Sequence, residues 1–412
     1  MSIEVLDGGL DVVNFGCRLN IAEGEAVRAA ARAAGAKDAI IFNSCAVTDE
    51  AVRQARQAVR RALRERPGAD VVVTGCAAEL EAGSFAAMGA RVVRNDAKGR
   101  AESYGGVAVT PGRLAYAPAL SGADHARAFL GVQTGCSHSC TFCATVLARG
   151  TARSASADAV IAAARTALDR GQREIILTGV DLASYGDDSE TTLAALVEAL
   201  LALPVERLRL SSLDPDRIDD RLFALLTQEK RVMPHVHLSL QAGDDMVLTR
   251  MKRRHRRADA VRLVERLKAA RADIAIGADL IAGFPTEDAA MFANSLALID
   301  DCDIVFGHIF PYSPRAGTPA ARMPQVGRAM ARQRAAALRE ANGRRRHRWL
   351  DAQIDRTASM LVERDGVTGH AENFVAISLA APAAPGTIND VRMTARDGDR
   401  MIATTIERDI AA

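Results

Sequence analysis

Three cysteines, Cys136, Cys140 and Cys143, fall inside eight residues of the stretch "GCSHSCTFC", and no fourth cysteine follows nearby. Thiolates this close together point to a metal. Zinc is one candidate, but structural zinc normally closes a tetrahedron of four protein ligands, which would draw His138 in from the middle of a tight loop. A cubane iron–sulfur cluster instead has four irons, each needing a ligand. Three thiolates leave one iron open, and an open metal position is how a site keeps room for a reacting molecule. On that reading the missing ligand is the substrate or a cofactor.

The other cysteines are Cys17, Cys45, Cys76 and Cys302, an odd total of seven. The N-terminal "MSIEVLDGGLDVV" lacks a basic flank followed by an apolar segment, and no apolar run approaches the ~20 residues of a membrane span. A cytoplasmic, reducing location is therefore expected, where metal or redox chemistry is the better default than disulfides.

The elements that must position these thiols can be read from periodicity. Up to about residue 105 the chain alternates "DVVNFG", "NIAEGEAVRAAARAAG", "DAIIFNS", "TDEAVRQARQAVRRALRERPG" and "DVVVTG", a β-α-β-α-β pattern that implies parallel strands with helical crossovers. Asn20 is the expected N-cap of the first helix and Gly35 its stop, while Thr48 precedes the acidic first turn of the second. Cys17, Cys45 and Cys76 each follow one of these strands. Strand C-terminal ends share one edge of a parallel sheet, where ligands bind, so the three can converge. The alternative is that each is a small buried hydrophobe, which is the reading for Cys302.

After a Gly- and Pro-containing connection a second alternation begins. Its strands are "FLGVQ" (129–133), "REIILTG" (173–179), "RLRLSS" (207–212), "HVHLSLQ" (235–241), "DIAIGADLIAG" (273–283) and "DIVFGHIF" (303–310), separated by helix-length segments. Six β-α units predict a parallel barrel, complete or open, with its active site at the strand C-terminal ends. Cys136 directly follows the first strand. From about residue 353 short alternating runs with turn-like "RDG" and "RDGDR" predict a small antiparallel β-barrel. The chain, at 412 residues, thus divides as an α/β protein into 1–105, 122–352 and 353–412.

Net charge is only +2, with five Lys against a large majority of Arg. Arginines concentrate in "RMKRRHRRAD" (250–259) and "NGRRRHRW" (342–349), either as phosphate-holding clusters or as solvated helix faces. His255 and His347 inside these runs read as surface residues.

Cys-x3-Cys-x2-Cys with an aromatic residue, Phe142, before the last cysteine, after the first strand of a six-unit barrel, resembles the radical S-adenosylmethionine superfamily. "NFGCRLN", "NSCAVTDEA", "VTGCAAE", "ARGTARS", "HLSLQAGDD", "DLIAGFPTE" and "FPYSPRAGTPAARM" further resemble the radical methylthiotransferases that modify tRNA, and the likeness covers the whole chain. Val146, Leu147 and Glu79 depart from the common pattern but leave the cysteines untouched.

The resemblance implies two 4Fe-4S clusters, one on Cys136, Cys140 and Cys143 and the other on Cys17, Cys45 and Cys76. It implies a radical S-adenosylmethionine partial (β/α)6 barrel and a C-terminal RNA-binding barrel of the TRAM type. S-adenosylmethionine would both give a methyl group to sulfur and be cleaved reductively. Thr178, Gly179 and Val180 match the segment that contacts its methionine amino group; Ser212, Gln241 and Asp279 lie near other strand ends, where they could touch ribose or carboxylate, or act as local caps. Arg149 is either a counter-charge to the cluster or an ordinary surface residue. The implied partners are a tRNA anticodon loop and a reductant such as flavodoxin or ferredoxin, with no membrane, the chain working as a monomer. Within the family the sequence looks most like the branch acting on threonylcarbamoyladenosine. The isopentenyladenosine branch, a ribosomal-protein branch, and an RNA-binding protein with structural or redox-sensing clusters remain as alternatives.

Overall fold

The computed structural model of the chain describes residues 9–105 and 116–406. Its first unit runs β1 (Leu10–Asn14), α1 (Arg18–Ala33), β2 (Ala39–Ser44), α2 (Asp49–Glu65), β3 (Asp70–Gly75), α3 (Cys76–Leu80), α4 (Ala82–Ala86) and β4 (Arg91–Val92). The strands form a parallel sheet in the order β1-β2-β3-β4. Continuous apolar runs such as "AIIFNS" and "DVVVTG" are what such a sheet requires, because both faces are covered. Phe42, Val59, Val73 and Phe85 fill one face; Leu10, Val27, Ile41 and Val72 fill the other.

Thr48 caps α2 as expected, its Oγ1 accepting the Ala51 N–H at 3.1 Å. The expected cap of α1 is corrected: Cys17 is the N-cap, and Asn20 lies buried inside the first turn. Its amide donates to Phe15 O at 2.7 Å and Ser44 O at 3.2 Å, so a polar side chain that sequence would assign to local capping instead ties together two strand ends. Gly35, at φ +69°, follows the last turn of α1 as the expected stop.

The second unit contains β5 (Ala119–Leu120), β6 (Arg127–Thr134), α5 (Thr145–Arg149), β7 (Arg153–Ser154), α6 (Ala157–Asp169), β8 (Glu174–Gly179), α7 (Leu193–Leu201), β9 (Arg207–Leu210), α8 (Asp220–Gln228), β10 (His235–Gln241), α9 (Asp245–Met251), α10 (Arg257–Ala270), β11 (Ala275–Ala282), α11 (Ala289–Asp301), β12 (Ile304–Pro311) and α12 (Arg328–Asp351). Six parallel strands, β6, β8, β9, β10, β11 and β12, start within two residues of their predicted positions. They form two hydrogen-bonded runs, β6-β8-β9 and β10-β11-β12, joined through the parallel bridges Leu208–Val232 and Leu213–Leu238. Among the described residues no pairing links β12 back to β6, so the barrel is open. No helix among them is long and apolar enough to cross a membrane.

Alternation sorts these strands. Leu130, Val132, Ile175, Leu177, Leu208, Val236, Leu238 and Ile276 belong to the core shared with the helices. Residues of the opposite parity, Gln133, Glu174, Arg207, Arg209, His235 and His237, are buried and polar. They line a lumen, since period-2 geometry sends them to the other face. Helix α1 of the first unit packs against this inner face, with Ala22 against Ala119, Phe129 and Ile176.

The last unit is a closed barrel of β13 (Thr357–Val362), β14 (Thr368–Ala371), β15 (Ala376–Leu379), β16 (Ile388–Asp397) and β17 (Arg400–Thr405), ordered β13-β14-β15-β17-β16. Four pairings are antiparallel, and β15 with β17 is parallel. That one exception to the antiparallel expectation arises because the chain crosses from β15 to β16 before the β16–β17 hairpin returns alongside β15.

This barrel docks beneath the lumen. Arg207 Nη2 donates to Ser359 O at 2.6 Å; Arg209 Nη1 and Nη2 donate to Glu372 O at 2.8 Å and Ala371 O at 2.7 Å. Glu174 accepts Arg209 Nε at 2.8 Å. Burial alone would raise the Glu174 carboxyl, but Arg209, Arg127 and Arg207 hold it down at about 2. The Phe374 ring stacks on His235 and His370, both at 4.8 Å, with the Arg18 and Arg209 guanidinium groups 5.2 Å from its centroid. Arg209→Ala would remove the shortest partner of a wholly buried carboxylate, leaving Arg207 at 3.6 Å, and breaking a buried pair costs up to about 3–5 kcal/mol. The variant is expected to unfold at clearly lower denaturant and to release the terminal barrel to protease; a wild-type midpoint would refute this account of the docking.

Candidate active site

The loop after β6 is shaped by backbone constraints. Gly135 adopts φ +72°, and a Cβ there would lie 2.1 Å from Thr151 O, so only glycine fits. Cys136 N–H then donates to Gly150 O at 3.1 Å, closing the loop. Thr141 N–H bonds Met251 O at 3.1 Å and its hydroxyl donates to Arg250 O at 2.7 Å. Phe142 turns away from the thiols and meets Phe284 edge-on at 6.4 Å and 86°, in an apolar cluster with Val247, Leu248 and Met251. The aromatic of the motif therefore anchors the loop.

The sulfurs are surrounded by donors. His138 N–H reaches Cys136 Sγ at 3.3 Å, Thr145 N–H reaches Cys143 Sγ at 3.4 Å, and Arg253 Nη1 reaches Cys140 Sγ at 3.6 Å. Such donors stabilise thiolate, whereas burial, with Asp181 adding to it, pushes the free Cys136 thiol up to about 12. Burial also raises Cys140 against the opposing Arg253 charge. A metal that displaces the protons is the natural partner for thiols so placed. His138 Nε2 pairs with Asp181 Oδ2 at 3.1 Å, which ties this residue to the segment after β8. Among the described residues only His237, Asp279 and His308 bring three donor atoms within 4.8 Å of one another. Neither cysteine triad brings its three sulfurs all within 4.8 Å of one another; three thiols are the donor number for a cubane that keeps one iron open.

The second triad forms as strand-end topology predicts. Cys17 caps α1, Cys45 follows β2, and Cys76 opens α3 directly after β3. Gly16 passes so near that a Cβ there would lie 2.6 Å from Cys45 Sγ, and at Gly75, φ +92°, one would lie 2.3 Å from Ser44 O. Burial, then the charges of Cys17 and Cys76, push Cys45 up to about 11, while Val47 N–H bonds its sulfur at 3.4 Å and partly opposes this. Cys17 retains accessible surface, yet its thiol sits in a protein recess that raises it, with Arg149 pulling the other way.

Arg149 is neither a surface residue nor a neighbour of one triad alone. It is buried, and from α5 its Nε donates to Cys76 Sγ at 3.1 Å. Nη1 and Nη2 grip the two Glu23 oxygens at 2.9 Å each, with further bonds to Thr134 Oγ1 at 3.0 Å and Asn20 Oδ1 at 2.7 Å. Lys98 Nζ adds a 2.6 Å bond to Glu23. Sequence reading missed Glu23 and Lys98. The available signal was a pair of polar residues three apart, Asn20 and Glu23, on an otherwise apolar face of α1.

At the far strand ends, Thr178 is buried, and Gly179 allows the Gln133 side chain to pass where a Cβ would lie 2.9 Å from Oε1. Gln133 Oε1 accepts Asp181 N–H and its Nε2 donates to Gly135 O, both at 2.9 Å. Thr178, Gly179 and the half-buried Val180 are thereby fastened to the Cys136 loop. Ser212 Oγ approaches Asp279 Oδ2 at 3.4 Å, and Asp279 Oδ1 receives His237 Nε2 at 3.1 Å and His308 Nδ1 at 3.2 Å. Neither histidine was picked out from sequence. Gln241 ends β10 in the left-handed region at φ +69°, where the β10/β11 register shifts.

The basic runs are corrected in part. His255 is buried, not on the surface, and burial lowers it to about 4; Arg253 from the same run bridges Cys140 and Asp214. Both turn inward because a short connection between α9 and α10 crosses the strand ends. In the second run Arg344, Arg345, Arg346 and Arg348 pair with Glu340, Asp303, Asp399 and Asp300, and His347 is the surface residue expected. Cys302 is wholly buried in the core.

Residues 130–299 match the family described as the radical SAM superfamily, and residues 10–93 match uncharacterized protein family UPF0004. A Rickettsia prowazekii (strain Madrid E) protein named threonylcarbamoyladenosine tRNA methylthiotransferase MtaB is 39% identical, covering 92% of this chain and 93% of its own length. An Erythrobacter litoralis (strain HTCC2594) protein named tRNA-2-methylthio-N(6)-dimethylallyladenosine synthase is 30% identical over 86% of each. Among solved structures, the radical S-adenosylmethionine methyltransferase TsrM of Kitasatospora setae, with cobalamin and a 4Fe-4S cluster bound, superposes with a TM-score of 0.51 at 14% identity, covering 74% of this chain and 70% of that one. That likeness concerns the fold.

The Glu23 pairing has a pH signature. Burial raises its carboxyl, but Arg149 and Lys98 outweigh this and hold it at about 2, below its ordinary 4.5. Its contribution to stability is thus fully present above 4.5 and is lost as pH falls toward 2. Urea midpoints measured across that window should fall for the wild type and fall less for Glu23→Gln, which also starts lower near neutrality; parallel curves would contradict the assignment.

Proposed function

The chain belongs to the radical S-adenosylmethionine methylthiotransferases that act on tRNA, and from that premise we propose that it methylthiolates carbon 2 of N6-threonylcarbamoyladenosine beside the anticodon. The observation that carries the reading is Arg149, which follows the Cys136–Cys143 loop on α5 and whose buried guanidinium reaches Cys76 and Glu23 of the first unit. The substrate choice is supported by the name of the Rickettsia relative, which spans nearly the whole of this chain.

Cys136, Cys140 and Cys143 would hold one 4Fe-4S cluster and Cys17, Cys45 and Cys76 a second. Bound there, the clusters and S-adenosylmethionine would supply the radical that takes hydrogen from carbon 2 and the methylthio group that replaces it. The remaining tasks fall to the chain. Arg149 and Arg253 place fixed positive charge at Cys76 and Cys140, which favours the anionic thiolates. Thr178, Gly179 and Val180, fastened to the cluster loop through Gln133, would receive the methionine end of the cofactor; Ser212, Asp279 and Gln241 would take its ribose or carboxylate. Phe142 keeps the loop rigid against Phe284. The plugged lower end of the lumen restricts entry to the strand C-terminal side.

A base in an anticodon loop is already unpaired, so admitting it there costs less than extracting it from a duplex. The closed terminal barrel would bind RNA in the manner of a TRAM domain, and a flavodoxin or ferredoxin would deliver electrons to the monomeric enzyme.

Anaerobically reconstituted protein should bind about eight irons, four per cubane. Cys136→Ala is expected to halve the iron and abolish S-adenosylmethionine cleavage, whereas Cys17→Ala halves the iron and keeps cleavage. A total of about four irons in the wild type would end the two-cluster assignment. Mass spectrometry of nucleosides from a deletion strain should show unmodified threonylcarbamoyladenosine accumulating; accumulation of dimethylallyladenosine instead would move the chain to the other tRNA branch.

A further inference from the structure

The loop after β12, "PYSPRAGTP" (311–319), takes no part in the account so far. Three of its polar atoms, Tyr312 Oη, Ser313 Oγ and Arg315 Nη2, are shut off from solvent and have no hydrogen-bond partner. Buried donors left unpaired are costly, and a guanidinium N–H is among the costliest, so three within four successive residues demand a reason. The rest of the loop is well satisfied: Arg315 Nη1 donates to Asp49 Oδ1 at 2.9 Å, and Thr318 Oγ1 to Arg315 O at 2.7 Å.

The location supplies the reason. Asp49 begins α2, four residues beyond Cys45. On the other side Ala320 N–H bonds Thr141 O at 2.9 Å, and the Tyr312 ring meets Phe284, the anchor of Phe142, edge-on at 5.5 Å. The loop therefore touches both the Cys136–Cys143 loop and the segment that follows Cys45. Burial pushes the Tyr312 phenol up to about 12 although Arg315 opposes it, so its hydroxyl stays a donor beside the guanidinium. One guanidinium and two hydroxyls match an oxyanion, the acceptor that takes several donors at once.

We propose that Arg315 Nη2, Tyr312 Oη and Ser313 Oγ form a subsite for one oxyanion of the target nucleotide. Two oxyanions are in reach of such a subsite: the carboxylate of the threonylcarbamoyl group on the base, and a phosphate flanking that nucleotide. This rests on the reading of the chain as a tRNA methylthiotransferase.

The test is binding of anticodon stem-loops to full-length, cluster-reconstituted protein without reductant, using loops with threonylcarbamoyladenosine or plain adenosine at the target position. Arg315→Gln and the conservative Tyr312→Phe should each weaken binding about tenfold or more, the usual effect of losing a hydrogen bond to a charged group. Loss confined to the threonylcarbamoyl loop identifies the carboxylate; equal loss on both identifies the phosphate; either supports the subsite. Asp49→Asn removes the ion pair but keeps Nη2, and should bind as the wild type does. The proposal is overturned if both loops bind Arg315→Gln and Tyr312→Phe with wild-type affinity, or if Asp49→Asn is as damaging as Arg315→Gln, which would make Arg315 a strut between units. Should the wild type favour a dimethylallyl loop, the substrate reading fails, while equal weakening of every loop by these substitutions would still support the subsite.

Discussion

The Arg149 guanidinium spends its donors on both halves of the candidate site, gripping Glu23 with two nitrogens while bonding Cys76, Asn20 and Thr134. A buried charge is tolerated only when it is paired and hydrogen-bonded, because taking it from water costs several kcal/mol or more. Separating the first unit from the barrel would break the Arg149 bonds to Glu23, Asn20 and Cys76 together. The two cysteine triads are consequently held in one fixed relation.

A second buried charge network does the same at the opposite end. Arg207, Arg209 and Glu174 face the lumen because of strand alternation, and the carbonyls of Ser359, Ala371 and Glu372 satisfy their donors. Phe374 seals the remaining gap by stacking on His235 and His370. The lumen is thus lined by polar residues and plugged below, with the cysteine loop, the Thr178–Val180 segment and the loop after β12 at its strand C-terminal ends. An interior of this kind differs from a fully packed parallel barrel, whose inward residues are apolar layers.

Local pattern explains why so much of this was legible. The six barrel strands, the closed terminal barrel and both sets of three cysteines follow from period, punctuation and thiol spacing, which act over a few residues and are written into the chain directly. The misread residues are polar ones whose partners are distant in sequence. Asn20 looked like a cap but spans to Ser44; His255 looked exposed but is buried under the connection between α9 and α10. Arg149 was open between two readings because nothing within ten residues of it reveals Glu23 or Cys76.

By itself, then, the sequence determined the kind of chemistry: thiols in threes, at the ends of parallel strands, with a family resemblance along the whole chain. Only the tertiary structure decided which charges serve that chemistry. Arg149 and Arg253 reach sulfur, while Arg344, Arg345, Arg346 and Arg348 in an equally basic run are neutralised by carboxylates. The physical reason is that a thiol's capacity to bind metal belongs to the residue, whereas the effect of a charge depends on what lies within a few ångströms of it and how far water is excluded, and both are properties of the folded chain.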